Sequence, residues 1–516
     1  MIVAASATAL WSWAPLWSWA SDGAPLRIGL RVPRAVLAQG LSLSGGGAMQ
    51  WRPLPLGTAA RERGGRTPSP RAEIWIEVAI CAPRGRVQLR LGGDPAAPSG
   101  AGPAFVLRRD VRRATIGCVS VTRWEWCDGT VDERTRTTFA VGCEVGGERY
   151  ADGEARTQES AGLAQRARWW RDRGRREAAR CGLLPLHRGR GAAGRSSTAA
   201  RVRRRLGVVV DALVELPGDR GAGDFARHGG EVTNLEYDTT FALLRCAVAT
   251  GHRRAFALAQ RSARHLRDRD LDGRSGLPFV HGARHRTGVV ESGHAWLQGL
   301  LWVGLLTADD GALAAARALG RALAAHLPGG RGQHERLRSY GWPLLELEAL
   351  LRVVDDRVVA CAADRLAAAI GGRFDARAGT WRFGEGEEGR GVYFERAWLT
   401  AGLLVPALRA HLLRQANAPL REQLEQGCKR LSREVGRGAR GLPTHYRVAS
   451  GRAFGHHFEL GTARSAWLLE ALPPRDQRRL LGRANLRRAV VDLVSLDAPD
   501  LATQFTLLAR CGWVWR

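Results

Sequence analysis

The stretch NLEYDTTFALLRCAVATGHRRAFALAQRSARHL, residues 234–266, establishes the architecture that we expect for most of this chain. Phe241, Leu244 and Val248 recur at helical spacing, and a second apolar face follows the short connection at 249–252. Because short connections join antiparallel neighbours, the sequence predicts a helical hairpin here. The residues around it are polar and lie in Gly- and Pro-containing segments such as 276–286, where loops commonly carry sites.

The hairpin pattern recurs along the chain at intervals of roughly 45–60 residues, which is typical of helical repeat architectures. The predicted pairs are 296–306 with 313–327, 342–354 with 358–370, 398–413 with 420–435, and 459–472 with 475–494, followed by a single helix at 499–511. A first single helix begins near Val202, with Leu206, Val209, Leu213 and Leu216 on its apolar face. If this helix pairs with the last one, about six hairpins close into an α/α toroid. We expect the connections that carry aromatic and polar residues to collect at one end of this ring.

The N-terminal part of the chain has a period of two. Apolar residues alternate with polar ones at 87–91 and 139–145, and 74–78 is an apolar run of the kind found in buried strands. The chain is thus predicted to be a multidomain α+β protein that begins with an antiparallel β-sandwich or barrel-like domain. We place this β-rich domain, in one or two parts, at 25–158, a basic linker at 159–200 and the toroid at 201–516.

The formal charge is +28, from 78 Lys and Arg against 50 Asp and Glu. A charge of this size attracts polyanions such as nucleic acid. Lys429 is the only lysine, however, and arginine is spread along the whole chain. This even bias indicates a compositional origin rather than a nucleic-acid-binding surface.

The nine cysteines are scattered and form no Cys-x-x-Cys pair, so neither a disulfide framework nor a zinc site is indicated. The apolar run at 11–20 is interrupted by Pro15 and lacks the basic segment of a signal peptide. No other segment is long and apolar enough to span a membrane. A cytoplasmic location with reduced thiols fits this pattern best.

Several motifs together are similar to a known family. PLRIGLRVPRAVL at 25–37, MQWRPL at 49–54, RTRTTF at 134–139, NLEYD at 234–238 and GHAW at 293–296 resemble segments of the PcRGLX/YetA-like rhamnogalacturonan exolyases. The resemblance implies a polysaccharide lyase that cleaves an acidic pectic glycan by β-elimination beside a galacturonate. Its expected partner is an acidic polysaccharide or oligosaccharide.

Such a reaction needs a cation for the carboxylate, a base for the C5 proton and an acid for the leaving oxygen. Arg284 or Arg286 suits the first role, because guanidinium matches a carboxylate in two contacts. The candidate bases are His281, His285 and His294, and the candidate acids are Tyr237 and Tyr340. The remaining candidate substrate contacts are Asn234, Glu236, Asp238, Glu291, Trp296 and Trp342.

Several of these residues have simpler interpretations. His294 can cap a helix, Asp238 is a natural N-cap, and Trp342 is a typical core residue at the start of a helix. The segment Asp268-x-Asp270-x-Asp272-Gly matches the start of a calcium loop, but position twelve is Phe279 instead of glutamate. We therefore expect no zinc site at His281, His285 and His294. A calcium site at Asp268, Asp270 and Asp272 is kept as an alternative.

Two other functions stay open on the sequence alone. The same toroid can carry a glycoside hydrolase, with carboxylates such as Glu236, Asp238 or Glu291 as an acid/base pair. The arginine excess can instead serve a non-catalytic binder of polyanions, including nucleic acid.

Overall fold

The computed structural model describes a helical C-terminal part and an N-terminal part of antiparallel strands. The described residues are 17–21, 26–33, 41–44, 48–54, 73–81, 85–91, 106–108, 111–116, 119–126, 138–145, 148–151, 155–157, 197–215, 226–228, 231–233, 237–282, 285–307, 309–328, 336–383, 392–394, 397–437, 442–447, 453–458, 466–467, 469–473, 475, 477 and 501–515. Most of the predicted linker at 159–200 lies outside these residues.

Twelve described strands precede the first helix and form three antiparallel sheets with the orders β1-β6-β3, β2-β5-β4 and β11-β10-β9-β8-β7, with β12 on β10. They are β1 Trp17–Ser21, β2 Leu26–Pro33, β3 Leu41–Ser44, β4 Ala48–Pro53, β5 Glu73–Cys81, β6 Gly85–Leu91, β7 Val106–Arg108, β8 Val111–Ile116, β9 Val119–Trp126, β10 Thr138–Val145, β11 Glu148–Ala151 and β12 Ala155–Thr157. The strands predicted at 74–78, 87–91 and 139–145 are confirmed as β5, β6 and β10. A sandwich or barrel made from these sheets stays a prediction.

The described helices follow the predicted hairpins closely. They are α1 Ser197–Glu215, α2 Thr239–Thr250, α3 Arg253–His265, α4 Leu297–Thr307, α5 Asp310–Ala325, α6 Leu337–Leu351, α7 Arg357–Gly371, α8 Ala397–Leu399, α9 Val405–Arg414, α10 Ala418–Arg437, α11 Leu501–Arg510 and α12 Gly512–Trp515. A π-helical turn, Thr400–Leu404, joins α8 to α9. Helix α6 begins five residues before its predicted start.

Each first helix of a pair packs on its own partner and on the first helix of the next pair. Helix α2 contacts α3 and α4, α4 contacts α5 and α6, and α6 contacts α7 and α9. Near the C terminus, α11 returns to pack against α2. A closed ring of hairpins requires contacts of this kind, but the toroid stays a prediction because 478–500 lies outside the described residues.

Helix α4 is the most buried helix of this arrangement. All eleven of its residues are buried, and its sequence, LQGLLWVGLLT, has no polar face. A helix that is apolar all round must be covered on every side. Helices α2, α3, α5 and α6 and strand β2 all pack against it. Consequently α4 has a fixed position, and so does the segment that leads into it.

The structure corrects the loop predicted at 276–286. Strands β13 Ala226–His228, β14 Glu231–Thr233, β15 Phe279–Gly282 and β16 His285–Val290 form a sheet of order β13-β14-β16-β15. Valines and Phe279 favour paired strands, and the Gly282 N–H donates to Thr233 Oγ1 over 2.9 Å. The glycines and Pro278 therefore bound a short hairpin rather than an irregular loop.

The last predicted pair, 459–472 with 475–494, lies largely outside the described residues. Strand β21 Ala453–Phe458 pairs with β20 Leu442–Arg447, which also pairs with β19 Val392–Phe394. A second two-stranded ribbon joins β17 Phe374–Asp375 to β18 Thr380–Trp381. Within the described part, Leu469–Ala471 is a 3-10 turn, and no described helix has both the length and the apolar character needed to cross a bilayer.

Candidate functional site

The two stretches that the sequence singled out, 234–238 and 281–296, meet at an aromatic contact. Tyr237, just before α2, lies with its ring centroid 6.1 Å from that of Trp296, just before α4. The starts of these two helices are adjacent because α2 and α4 pack side by side. The described candidates Tyr237 and Trp296 therefore share one region of the fold.

A carboxylate, an imidazole and a guanidinium form a short polar row beside this contact. His294 Nδ1 lies 3.0 Å from Glu291 Oε2, and His294 Nε2 lies 3.3 Å from an Nη2 of Arg338. Glu291 precedes the 3-10 turn Ser292–His294, which His294 ends just before α4, and Arg338 is in the first turn of α6. His294 is nearly buried, whereas Arg338 and Glu291 keep part of their surface in solvent.

The contacts of His294 specify where its proton lies. Arginine nitrogens only donate hydrogen bonds, so His294 Nε2 accepts from Arg338 and the imidazole proton is on Nδ1, facing Glu291. The hydrogen bond with His294 lowers the pKa of Glu291 to about 2 against the opposing effect of partial burial, and the charge of Arg338 adds to the lowering. Glu291 is thus an anion at neutral pH that orients the ring, with Nε2 directed toward Arg338.

Two further groups border this row. The ring of His281, on β15, has its centroid 5.0 Å from that of His294 and is partly exposed. The guanidinium carbon of Arg338 lies 5.5 Å from the centroid of the Tyr237 ring, a cation–π contact that stabilises the position of the arginine. The arrangement can bind an anionic group at Arg338 and accept a proton at His294 within the same small volume.

Two buried carboxylates, Glu346 and Asp238, accept hydrogen bonds from the first turn of α4. Glu346 Oε2 accepts from the N–H groups of Leu297 and Gln298, over 3.0 and 2.7 Å. Asp238 Oδ2 accepts from the N–H of Gly299 over 2.8 Å. A Cβ at Gly299 would lie 2.5 Å from Asp238 Oδ1, so only glycine permits this approach.

Arg510, on α11, balances the charge of these carboxylates. Its Nη1 lies 3.9 Å from Asp238 Oδ2, and its guanidinium carbon lies 4.9 Å from the centroid of the Trp342 ring. Burial, followed by the nearby charge of Asp238, raises the pKa of Glu346 to about 8. Burial also raises the pKa of Asp238, against the pull of Arg510. Burial therefore favours the neutral form of both carboxyl groups, and the charge of Arg510 opposes it.

Asp238 also confirms its predicted N-cap role, since its Oδ1 accepts from the Phe241 N–H over 2.9 Å. Of the other predicted site residues, Asn234, Glu236 and Arg284 lie outside the described residues. His285 is on β16, and nothing is described of its side chain. Arg286 is exposed, is the cross-strand partner of His281, and has its guanidinium carbon 4.2 Å from the centroid of the Phe279 ring.

The predicted aromatic contacts to sugar are mostly in the core. Trp296 and Trp342 are 2% and 0% exposed and meet edge to face with centroids 5.0 Å apart. Trp467 and Tyr237 complete the same buried cluster. Tyr340 is also buried, and its hydroxyl accepts from Arg373 over 3.0 Å. Burial argues against sugar stacking for the two indoles and favours the packing interpretation.

The three aspartates of the calcium alternative have separate protein partners. Asp268 contacts Arg267, Asp272 accepts from the N–H and hydroxyl of Ser275, and buried Asp270 lies 3.6 Å from His265. Asp268 and Asp270 are in a π-helical turn, Leu266–Asp270, rather than in an ion-binding loop. Among the described residues no cluster of three or more His, Cys, Asp and Glu side chains is suited to a metal ion. Calcium binding stays an untested alternative.

Sequence reasoning missed Arg338, Glu346 and Arg510. The signal for Glu346 was present, because Glu346 and Glu348 interrupt the otherwise apolar helix sequence WPLLELEALL at 342–351. Glutamates on a buried helix must find partners. Glu348 forms hydrogen bonds with His411 and Arg414, and Glu346 accepts hydrogen bonds from the backbone of α4. Arg338 had no local signal, since it follows a segment with many other charged residues.

No protein-family model matches the chain, and no curated protein is significantly similar to it. A functional assignment therefore rests on the contacts of the described residues and on the sequence motifs.

Proposed function

We propose that this chain is a carbohydrate-active enzyme, a polysaccharide lyase that cleaves an acidic, rhamnogalacturonan-like glycan by β-elimination. The observation that carries the proposal is the placement of His294 between Glu291 and Arg338, with Nε2 facing the guanidinium. The motifs similar to rhamnogalacturonan exolyases support the same substrate class. A cytosolic site of action belongs to the proposal, in keeping with the thiols of Cys246 and Cys361.

The proposed reaction begins when Arg338 binds the carboxylate of a uronate and neutralises its charge, which makes the C5 proton acidic. Nε2 of His294, released when the guanidinium of Arg338 turns to the carboxylate, then takes that proton, while Glu291 stabilises the resulting imidazolium. The C5 electron pair forms the C4–C5 double bond, and the C4–O bond breaks. His281, partly exposed beside His294, gives a proton to the leaving oxygen. The products are a new hydroxyl end and an unsaturated uronate.

These roles revise the assignments made from the sequence. Arg338 replaces Arg284 and Arg286 as the carboxylate partner, because its guanidinium lies 3.3 Å from Nε2 of His294. His281 replaces Tyr237 and Tyr340 as the acid, since both tyrosines are buried and the Tyr237 ring packs against Arg338. Tyr237 supports the guanidinium instead.

The hydrolase alternative needs two carboxyl groups that face one sugar ring. Glu291 is committed to His294, and Asp238 accepts from two backbone N–H groups inside the core. Those contacts favour elimination over hydrolysis.

The test is to incubate the purified protein with rhamnogalacturonan, polygalacturonate and a neutral glycan as control. Ultraviolet absorbance follows the unsaturated product, and a reducing-end assay follows cleavage of any kind. The proposal expects absorbance and new ends together, on uronate-containing glycans alone. New ends without absorbance would support the hydrolase, and salt-sensitive DNA binding without cleavage would support the polyanion binder.

A further inference from the structure

Helix α4 begins immediately after the segment that carries His294, yet its own sequence provides no cap. The first N–H groups of a helix lack partners within it and need acceptors when they are buried. The residues before Leu297 are Ala295 and Trp296, neither of which has a side-chain acceptor. Because this helix end is fully buried, the missing acceptors must come from other elements.

Two other elements supply them. Glu346 of α6 takes the N–H groups of Leu297 and Gln298, and its Oε1 accepts from the Gln298 side chain over 3.0 Å. Asp238 takes the N–H of Gly299. Three successive N–H groups of the first turn are thus held by two side chains from different parts of the chain.

The helices that carry these carboxylates also carry, or directly follow, residues that surround His294. Arg338 lies eight residues before Glu346 on the same helix, α6. Tyr237 directly precedes Asp238 at the start of α2, and its ring supports Arg338. His294 lies three residues before Leu297, at the entry to α4. Each contact between a carboxylate and α4 therefore also fixes His294 relative to Arg338 or Tyr237.

We propose that Glu346 and Asp238 are positioning residues that tie the starts of α2, α4 and α6 together and so set the distance between His294 and Arg338. Neither touches substrate. The catalytic consequence rests on the proposed function, whereas the effect on His294 itself does not. The groups that face Glu346 are Asp238, Arg510 and Gln298, so it has no other described acid or base to serve.

The test compares four variants, Glu346→Gln, Glu346→Ala, Glu348→Gln and Glu348→Ala. Glu348 is the matched control, because it is 2% exposed on the same helix, pairs with His411 and Arg414, and makes no described contact with α4. The readout is the ¹H–¹⁵N spectrum of the histidine rings, with the His294 signals identified by their loss in His294→Gln. This spectrum reports the tautomer and titration of His294 without any substrate.

We expect Glu346→Gln to keep the wild-type His294 signals, because the amide oxygen can still accept from the α4 backbone. Glu346→Ala should shift those signals and their titration, while both Glu348 variants leave them unchanged. On a cleaved glycan, Glu346→Ala should lower kcat by about 100-fold, the loss typical of a small misplacement, with a smaller change in KM. Unchanged His294 signals in Glu346→Ala, or equal shifts in Glu348→Ala, would overturn the proposal.

Two further variants keep the test decisive if Glu346→Ala does not fold. Glu346→Asp keeps the carboxyl but shortens its reach, and Gly299→Ala places a methyl 2.5 Å from Asp238 Oδ1. Both should shift the His294 signals, whereas Gly273→Ala, where a Cβ would meet nothing within 4 Å, should not. If wild-type protein cleaves no uronate-containing glycan, the lyase assignment fails, and the spectra still decide the positioning role.

Discussion

Nδ1 of His294 lies 3.0 Å from Oε2 of Glu291, on the side of the ring opposite Arg338. This pairing commits one nitrogen to the carboxylate and leaves the other to face the guanidinium. A histidine held in this way has a defined tautomer, which is the property that a general base requires.

The first prediction concerns Glu291. Replacing it with glutamine removes the anion that orients His294 and stabilises its protonated form, so kcat/KM on the cleaved glycan should fall by about 100- to 10,000-fold. Glu425→Gln, at an exposed position of α10, is the control and should match wild type. Near wild-type kinetics in Glu291→Gln would remove Glu291 from the mechanism.

Arg338 tests the recognition of the substrate carboxylate. Lysine retains the charge but loses the two-pronged geometry, so Arg338→Lys should raise KM by about tenfold, equivalent to roughly 1.4 kcal/mol of binding. Arg338→Ala should lose more, in both KM and kcat. The exposed Arg365→Ala is the matched control in steady-state kinetics. An unchanged KM for both Arg338 variants would contradict the assignment.

Glu346 makes a specific contribution to the pH dependence of stability. Its pKa is raised from 4.5 to about 8, so the folded protein holds this proton more tightly than the unfolded chain does. The associated stability is complete below about pH 4.5 and is lost as the pH rises through about 8. Glu346→Gln should abolish this part of the decline, seen as a flatter free energy of unfolding in urea titrations from pH 5 to 8. Equal slopes in both proteins would refute the raised pKa.

The aromatic cluster gives a prediction about stability alone. Trp342 is fully buried between Trp296, Tyr237 and Trp467. Trp342→Ala should lower the free energy of unfolding by about 3–5 kcal/mol, because it deletes a large side chain and leaves a cavity. Leu413→Ala, at a position that is 83% exposed, should change it by less than about 0.5 kcal/mol. Comparable losses in the two variants would place Trp342 outside the core.

Local patterns were sufficient to predict many of the described helices and strands. The spacing of Phe241, Leu244 and Val248 gave the buried face of α2, and alternation at 87–91 gave β6. The cap at Asp238 followed from its place before a helix. Strands β15 and β16 were missed because they are short and interrupted by glycines. One of their contacts is also distant in sequence, since Gly282 donates to Thr233, 49 residues earlier.

The candidate site was only partly predictable for the same reason. His281, Glu291 and His294 lie within one short segment of unusual polarity, so sequence alone could find them. Arg338 contacts His294 but lies 44 residues away in the sequence, so its role depends on how α4 and α6 pack. The burial of Trp296 could not be predicted from the sequence either. An aromatic residue at the start of a helix gives the same sequence pattern whether it faces a cleft or the core.

The most direct test of the central claim is a comparison of wild type with His294→Gln on rhamnogalacturonan, with His326→Gln, an exposed histidine, as the control. Ultraviolet absorbance records the unsaturated uronate, and circular dichroism confirms that all three proteins are folded. The account predicts product from wild type and His326→Gln, and a loss of at least about 100-fold in His294→Gln. Equal product formation by His294→Gln would contradict the assignment of His294 as the base.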